Sequence, residues 1–212
     1  MTVFSFHTQK LMTTLGEGGA ITTDDPDLAR RLRGFRQFGT ETGEWGTNYK
    51  TSKVQAAVGL VQIRRLDEML AKRARRARDR TLMLGDIPEL TLPYEPTDCI
   101  HTYYLYTCLV PKDWADEKRN RMLQILDDDY GVGCIVANPP AYEYAHRDEN
   151  AVHDGRRNRS ILRETTAGQT LPLSDELGAR LFCIPIHPLM TEAQNEYICA
   201  AVIEAVERMK AG

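Results

Sequence analysis

The sequence lacks a long apolar run and a strong excess of charge of either sign, and each absence argues against a class of protein. No stretch approaches the roughly 18 consecutive apolar residues of a membrane span, so we expect no transmembrane segment. The 27 Lys and Arg residues against 30 Asp and Glu residues leave a net charge of −3, which argues against a globally basic nucleic-acid-binding protein. With 42% hydrophobic residues over 212 positions, the chain has the composition and length of a soluble globular protein.

Closely paired cysteines and a signal peptide are also missing. The five cysteines are Cys99, Cys108, Cys134, Cys183 and Cys199. Their odd number and wide spacing are unlike a disulfide framework or a zinc site, so we interpret them as free thiols in a reducing compartment. The N terminus has neither the charged start nor the long apolar stretch of a signal peptide. We therefore expect a cytoplasmic protein.

The first half of the chain alternates strand-forming residues, turn residues and helical periodicity. Residues 3–6 predict a strand, residues 10–19 a glycine-rich loop and residues 20–23 a second strand. Asp25 followed by proline predicts the start of a helix. Residues 52–84 then predict one long helix, whose small apolar central part we expect to be buried by this chain or by another. Its apolar stripe is Val54, Val58, Val61, Leu66, Met69 and Leu70.

Three prolines mark a change of composition near residue 85, where we place a domain boundary between residues 1–85 and 86–212. The second domain alternates strands and helices, which predicts an α/β sandwich. The predicted strands are 101–110, 133–137 and 182–186, and the predicted helices are 113–130, 175–181 and a final helix that opens with a capping box at 191–194. A polar stretch at 142–168, which we expect to be mobile, separates the two halves of this domain.

Lys10 is a candidate Schiff-base lysine, because it lies between a predicted strand and a glycine-rich turn. Desolvation favours the neutral amine, and the neutral amine is the nucleophile that attacks an aldehyde. Ser5 lies in the same strand-to-loop segment and could offer its hydroxyl to a phosphate. A lone lysine in such a loop is usually a solvated surface residue, so the assignment depends on the neighbouring sequence.

That neighbouring sequence resembles a known family. Residues 4–10, Phe-Ser-Phe-His-Thr-Gln-Lys, and residues 16–19, Gly-Glu-Gly-Gly, are similar to the lysine segment of the DegT/DnrJ/EryC1/StrS aminotransferases. These are pyridoxal-phosphate (PLP) enzymes of the aspartate-aminotransferase fold, fold type I. The resemblance continues in order through residues 46–57, Gly-Thr-Asn-Tyr-Lys-Thr-Ser-Lys-Val-Gln-Ala-Ala, and then through 131–133, 171–173 and 184–189.

The resemblance implies a role for three residues. Lys10 would form the Schiff base with PLP and then move the proton between the substrate carbon and the cofactor, and Ser5 would bind the cofactor phosphate. Asn48 would reach the phosphate bound by the neighbouring subunit, which implies a homodimer. Retention of the lysine favours transamination over the dehydratase branch of the family, which has histidine there. The implied substrate is a keto-sugar, often nucleotide-linked, with glutamate or glutamine as the amino donor.

Three features depart from the family pattern. Leu15 is an apparent insertion between the lysine and the first glycine, and Lys50 replaces an arginine, a point charge in place of a planar fork. In the family the lysine lies in the middle of the polypeptide, after a section that supplies a carboxylate for the pyridine nitrogen, an aromatic residue for the ring and a helix N-terminus for the phosphate. We therefore expect this chain to be a C-terminal part: residues 1–85, a remnant of the large PLP-binding domain, and residues 86–212, a small α/β domain.

Two other functions stay open on the sequence. The chain could be a non-catalytic remnant that dimerises through its apolar helix, or a regulatory nucleic-acid-binding protein. The second depends on a basic run, Lys72, Arg73, Arg75, Arg76, Arg78 and Arg80, which we interpret instead as a solvated helix face. Neither His146 and His153 nor Asp127-Asp128-Asp129 has the partners of a zinc or calcium site, so we expect no metal. Cys183 is most simply a core residue.

Overall fold

A computed structural model of the chain describes residues 1–137 and 171–211. The chain divides into two compact units, Met1–Lys72 and Arg73–Gly212. The domain boundary near residue 85 that the prolines suggest stays a prediction. None of the helices in the described ranges combines the length and the hydropathy of a membrane span. The polar stretch at 142–168, with His146 and His153, lies outside the described residues.

The first unit opens with an antiparallel hairpin. Strand β1 (Thr2–Ser5) pairs with β2 (Gly19–Thr22), so that Ser5 stands opposite Gly19. Helix α1 (Pro26–Arg36) follows, and the Asp25 carboxylate accepts hydrogen bonds from two amides of its first turn at 2.9 and 3.0 Å. The two strands, the loop between them and this cap confirm the sequence prediction. The prediction succeeded here because each feature depends on residues that are close in sequence.

The prediction of one helix over residues 52–84 is wrong. The structure has two helices, α2 (Lys53–Arg64) and α3 (Leu66–Leu84), separated at Arg65, whose φ of −101° and ψ of −3° interrupt the helix. No proline or glycine lies at this break, so the sequence carries no signal for it. Much of the apolar stripe of α2 is also exposed within this chain, with Val54 69% and Val61 54% accessible.

The second unit combines helices with a small sheet. Strands β3 (Tyr106–Leu109) and β4 (Leu181–Ile184) are antiparallel, and Tyr106 stands opposite Ile184. Among the described residues, the helices of this unit are the C-terminal part of α3, then α4 (Glu117–Tyr130), α5 (Pro172–Arg180) and α6 (Glu192–Ala211). A short 3-10 helix, Lys112–Trp114, precedes α4, where the sequence predicts a continuous helix from residue 113. The mixed helix and sheet confirms the predicted fold class.

Two strands predicted for this unit are shorter than expected. The strand predicted over 101–110 begins only at Tyr106. Tyr103 has a φ of +48°, which strand residues do not adopt. In addition, the Arg73 side chain donates hydrogen bonds to the carbonyl groups of Tyr103 and Tyr104. The strand predicted over 133–137 is a single bridge between Ile135 and Cys183.

The last helix and the core agree with the sequence. The Thr191 hydroxyl accepts from the Gln194 amide at 3.2 Å, and the Gln194 side chain accepts from the Thr191 amide at 2.9 Å, which confirms the capping box. Ile198 and Val202 on α6 are buried, as the helical spacing predicts, and Cys183 is a core residue. The three consecutive aspartates at the end of α4 are exposed, as expected of solvated charge.

The arginine-rich part of α3 is not a solvated face, contrary to the prediction. Arg73 and Arg80 are buried, Arg76 is half-buried, and only Arg75 and Arg78 of the five arginines are exposed. The acceptors of the three inward-facing arginines are the backbone carbonyls of Tyr103, Tyr104, Pro185, Ile186 and Met190 and the side chains of Asn195 and Asp79. A guanidinium group has five N–H donors in a planar fork, so it can be buried where several carbonyl oxygens converge. These groups are therefore not presented to a nucleic acid.

Candidate active site

The hairpin of the first unit carries Ser5 and Lys10 on one short segment, where β1 ends and the loop begins. Ser5 ends β1, and its Oγ atom accepts a hydrogen bond from the His7 amide at 3.4 Å. The Lys10 amide in turn donates to the His7 carbonyl at 2.9 Å. Ser5 is exposed and Lys10 is partly exposed. The backbone of His7 therefore joins the two residues that the sequence selects.

The loop between the strands is closed by backbone hydrogen bonds. The Phe6 amide donates to the Gly18 carbonyl at 2.7 Å, and the Thr14 amide donates to the Phe6 carbonyl at 3.1 Å. Gly19 permits this closure, since a Cβ at that position would lie 2.7 Å from the Phe4 carbonyl oxygen. The chain that carries Lys10 is thus folded back onto the end of the hairpin.

His7 is oriented through both of its ring nitrogens. Its Nδ1 atom accepts from the Gln9 amide at 3.2 Å, which places the proton of the neutral ring on Nε2. Nε2 lies 3.5 Å from the Glu17 carboxylate. Both residues belong to the lysine motif, but the sequence does not indicate their contact, because it spans the loop.

The tip of the loop, at Leu15, has a strained backbone. Leu15 has a φ of +63° and Gly16 a φ of +132°, so two consecutive residues adopt positive φ. Leucine rarely adopts this conformation. Leu15 is also 64% exposed, so burial of its side chain does not offset the cost of the strained backbone. The strained backbone is confined to the tip of the loop, and residues 2–5 and 19–22 are paired.

Asn48 belongs to a second group of residues, on the loop between α1 and α2. It forms an isolated antiparallel bridge with Gln37, just beyond the end of α1. Lys50 donates from Nζ to Gln37 Oε1 at 2.6 Å, and Nζ lies 5.3 Å from the centre of the Phe38 ring. The structure thus joins Ser5 and Lys10 in one segment through the His7 backbone. Asn48 lies on a different loop, where it pairs with Gln37.

The residues present can be compared with what PLP requires. The cofactor needs an amine for its aldehyde and hydrogen-bond donors for its phosphate. The Lys10 amine and the Ser5 hydroxyl meet these needs from one loop, and because Ser5 Oγ only accepts in its bond with His7, its proton stays available for donation. The hairpin therefore offers the two kinds of group that the aldehyde and the phosphate of the cofactor require. Within the described residues, no three His, Cys, Asp or Glu side chains are grouped as a metal site requires.

The mixed helix and sheet of this chain is the fold of part of a fold-type I aminotransferase. The chain belongs to the DegT/DnrJ/EryC1/StrS aminotransferase family, whose sequence model matches residues 1–203. This family is PLP-dependent. The resemblance noted in the sequence is thereby confirmed.

Individual relatives support the same family. The erythromycin biosynthesis sensory transduction protein EryC1 of Saccharopolyspora erythraea is 40% identical, over 94% of this chain and 50% of that protein. The dTDP-3-amino-3,4,6-trideoxy-alpha-D-glucose transaminase of Micromonospora megalomicea subsp. nigra is 28% identical, over 96% and 51% respectively. The crystal structure of NtdA from Bacillus subtilis, with the cofactor PMP bound, has a TM-score of 0.81 at 22% identity, over 97% of this chain and 46% of that one, which shows the shared fold. The chain spans about half the length of the curated relatives it matches.

Proposed function

We propose that this chain is the lysine-bearing part of a PLP-dependent sugar aminotransferase. The reaction would transfer an amino group from glutamate or glutamine to a keto-sugar, most simply one linked to a nucleotide. The observation that carries the proposal is the single loop that joins Ser5 to Lys10 through the backbone of His7. The relative from Micromonospora, which is named as a transaminase of a dTDP-linked sugar, supports the substrate class.

Each of the three selected residues has a proposed task. Lys10 Nζ would hold the cofactor through its aldehyde carbon, and once released it would carry a proton to and from the substrate carbon. Ser5 Oγ would donate to the cofactor phosphate. Asn48 would reach the phosphate held by a neighbouring subunit. When bound, PLP supplies the electron sink that makes the substrate carbon acidic.

A homodimer in the cytoplasm completes the proposal. Four large apolar residues of α2 are exposed in the single chain, and association would remove them from water. They are Val54, Leu60, Val61 and Ile63, with between 54% and 69% of their surface accessible. Five cysteines without a disulfide support a reducing compartment. A non-catalytic dimerisation module is not favoured, because the matching family is one of aminotransferases and the relatives include a named sugar transaminase.

The test is covalent labelling of Lys10. Purified chain mixed with PLP and reduced with borohydride should carry one pyridoxyl group, located on Lys10 by peptide mass spectrometry. Lys10→Arg should abolish this label, whereas Lys53→Arg, at an exposed lysine of the same unit, should leave it unchanged. Label spread evenly over exposed lysines, or absent from Lys10, would contradict the proposal. Amino transfer to a dTDP-linked keto-sugar, measured on the same preparation, tests the reaction itself.

A further inference from the structure

The loop that carries Lys10 is held by a side chain of helix α2. Gln55 Nε2 donates a hydrogen bond of 2.9 Å to the carbonyl oxygen of Glu17, a residue 38 positions earlier in the chain. Glu17 lies directly after the two positive-φ residues of the loop tip. This contact attaches the returning arm of the loop to the first turn of α2.

The other end of the same side chain caps the helix. Gln55 Oε1 accepts from the Ser52 amide at 3.1 Å, and Ser52 Oγ accepts from the Gln55 amide at 3.2 Å. Such a capping box uses only the side-chain oxygen of its third helical residue, and glutamate serves as well as glutamine. The Gln55 amide nitrogen is therefore not needed for the cap, and its bond to Glu17 has to be explained separately.

A second contact attaches the outgoing arm of the loop to α2. Gly59 lies one turn after Gln55, and a Cβ at that position would stand 3.1 Å from the Cγ2 atom of Thr14. Thr14 is only 2% exposed. The strained tip at Leu15 is thus bracketed by Thr14 packed on Gly59 and by Glu17 bonded to Gln55. Strained backbone of this kind persists only where the surrounding contacts hold it.

We propose that Gln55 is a positioning residue for Lys10, acting through the Glu17 carbonyl to hold the loop in the conformation that presents the lysine amine. This inference rests on the proposed function, since it concerns the group that would receive the cofactor. Gln55 itself would not touch the cofactor. Its amide nitrogen holds one arm of the loop. The opposite arm packs on α2 through Thr14, for which Gly59 leaves room because it has no side chain.

Two single substitutions separate anchoring of the loop from capping of the helix. Gln55→Glu keeps the oxygen that the cap uses and removes the donor to Glu17, whereas Ser52→Ala removes the cap and keeps the donor. In hydrogen exchange of the full chain without cofactor, Gln55→Glu should speed exchange of the Lys10 and Thr14 amides and leave α2 as in the wild type. Ser52→Ala should speed exchange at the start of α2 only. Unchanged loop exchange in Gln55→Glu, or an equal loop effect of Ser52→Ala, would overturn the proposal.

The second measurement is the time course of Lys10 labelling at saturating PLP, stopped with borohydride. Gln55→Glu should lower the rate constant about tenfold, as expected for the loss of one hydrogen bond to a positioned group, and reach full final labelling. A purely structural role would lower the final extent and leave the rate constant unchanged, and that result would overturn the inference. If wild-type Lys10 takes no label, the proposed function fails, while the exchange experiment still decides whether Gln55 anchors the loop.

Discussion

The guanidinium group of Arg80 donates two hydrogen bonds to one acceptor, the Oδ1 atom of Asn195, at 3.1 and 2.8 Å. Both residues are almost fully buried, and they lie 115 positions apart in the chain. Arg80 also donates to the Pro185 carbonyl at 2.9 Å and lies 4.9 Å from the centre of the Tyr106 ring. Burial lowers the pKa of Arg80, but arginine is basic enough to stay charged. Amide and carbonyl dipoles and a ring face surround this buried cation.

Replacement of Arg80 by lysine should therefore destabilise the second unit. The lysine ammonium cannot reach Asn195 and Pro185 in the same planar geometry, and it would stay buried with fewer partners. We expect Arg80→Lys to lower the free energy of unfolding by about 2–4 kcal/mol, measured by urea denaturation. Arg75→Lys, on the exposed side of the same helix, should change it by less than about 0.5 kcal/mol. Equal stability of the two variants would contradict this account of Arg80.

The five thiols should differ sharply in reactivity. Cys99 is exposed, whereas Cys108, Cys183 and Cys199 are buried. Burial raises the pKa of the partly buried Cys134 to about 12, so that little of its reactive thiolate is present at pH 8. A disulfide reagent should modify one thiol per chain rapidly under native conditions and the other four only in denaturant. Cys99→Ser should abolish the rapid phase. A second rapid thiol in that variant would show that the second unit is more open than described.

The free energy of unfolding should fall in acid, in part because the Glu95 carboxylate becomes protonated. Its carboxylate accepts from the His101 amide at 2.9 Å and from the Tyr103 hydroxyl at 3.1 Å. The His101 amide is the main cause that holds the pKa of Glu95 below its usual value. Because the pKa is lower in the folded state, the stabilisation is complete above the pKa of the unfolded state, about 4.3, and is lost as the pH falls through the folded value.

The corresponding measurement is urea denaturation at a series of pH values. Between about pH 5 and pH 3 the wild-type free energy of unfolding should decrease more steeply than that of Glu95→Gln. Glu196→Gln, at an exposed position on α6, should keep the wild-type slope. Parallel curves for the wild type and Glu95→Gln would rule out this contribution.

The strained loop tip should be relieved by asparagine. Leu15 adopts a φ of +63° with its side chain in solvent, and asparagine tolerates this conformation better than leucine does. We expect Leu15→Asn to stabilise the closed loop by about 0.5–1 kcal/mol, seen as slower exchange of the Thr14 amide. Leu15→Ala removes the same side chain and keeps the strain, so it should exchange at the wild-type rate. Equal exchange in both variants would show that the backbone of Leu15 is not the source of strain.

Local signals in the sequence predicted the local structure well. The β-forming residues before and after the glycine-rich loop became β1 and β2, and Asp25 caps α1 as its position before proline indicates. The capping box at Thr191 formed for the same reason. One strand prediction failed because a distant group overrides the local pattern. The strand predicted from residue 101 is interrupted because the Arg73 side chain bonds to backbone carbonyls that a strand would pair with a neighbour.

By itself the sequence determined the family of this protein. Its ordered motifs also select Ser5, Lys10 and Asn48, which we propose as the residues that meet the cofactor. Only the tertiary structure decided what holds those residues in place. The bond from Gln55 to Glu17 joins residues 38 positions apart, and the bond from Arg80 to Asn195 joins residues 115 positions apart. Periodicity describes which side of an element is apolar, but it does not encode which distant carbonyl a donor will reach. That choice depends on how the elements pack, and packing is a property of the folded chain.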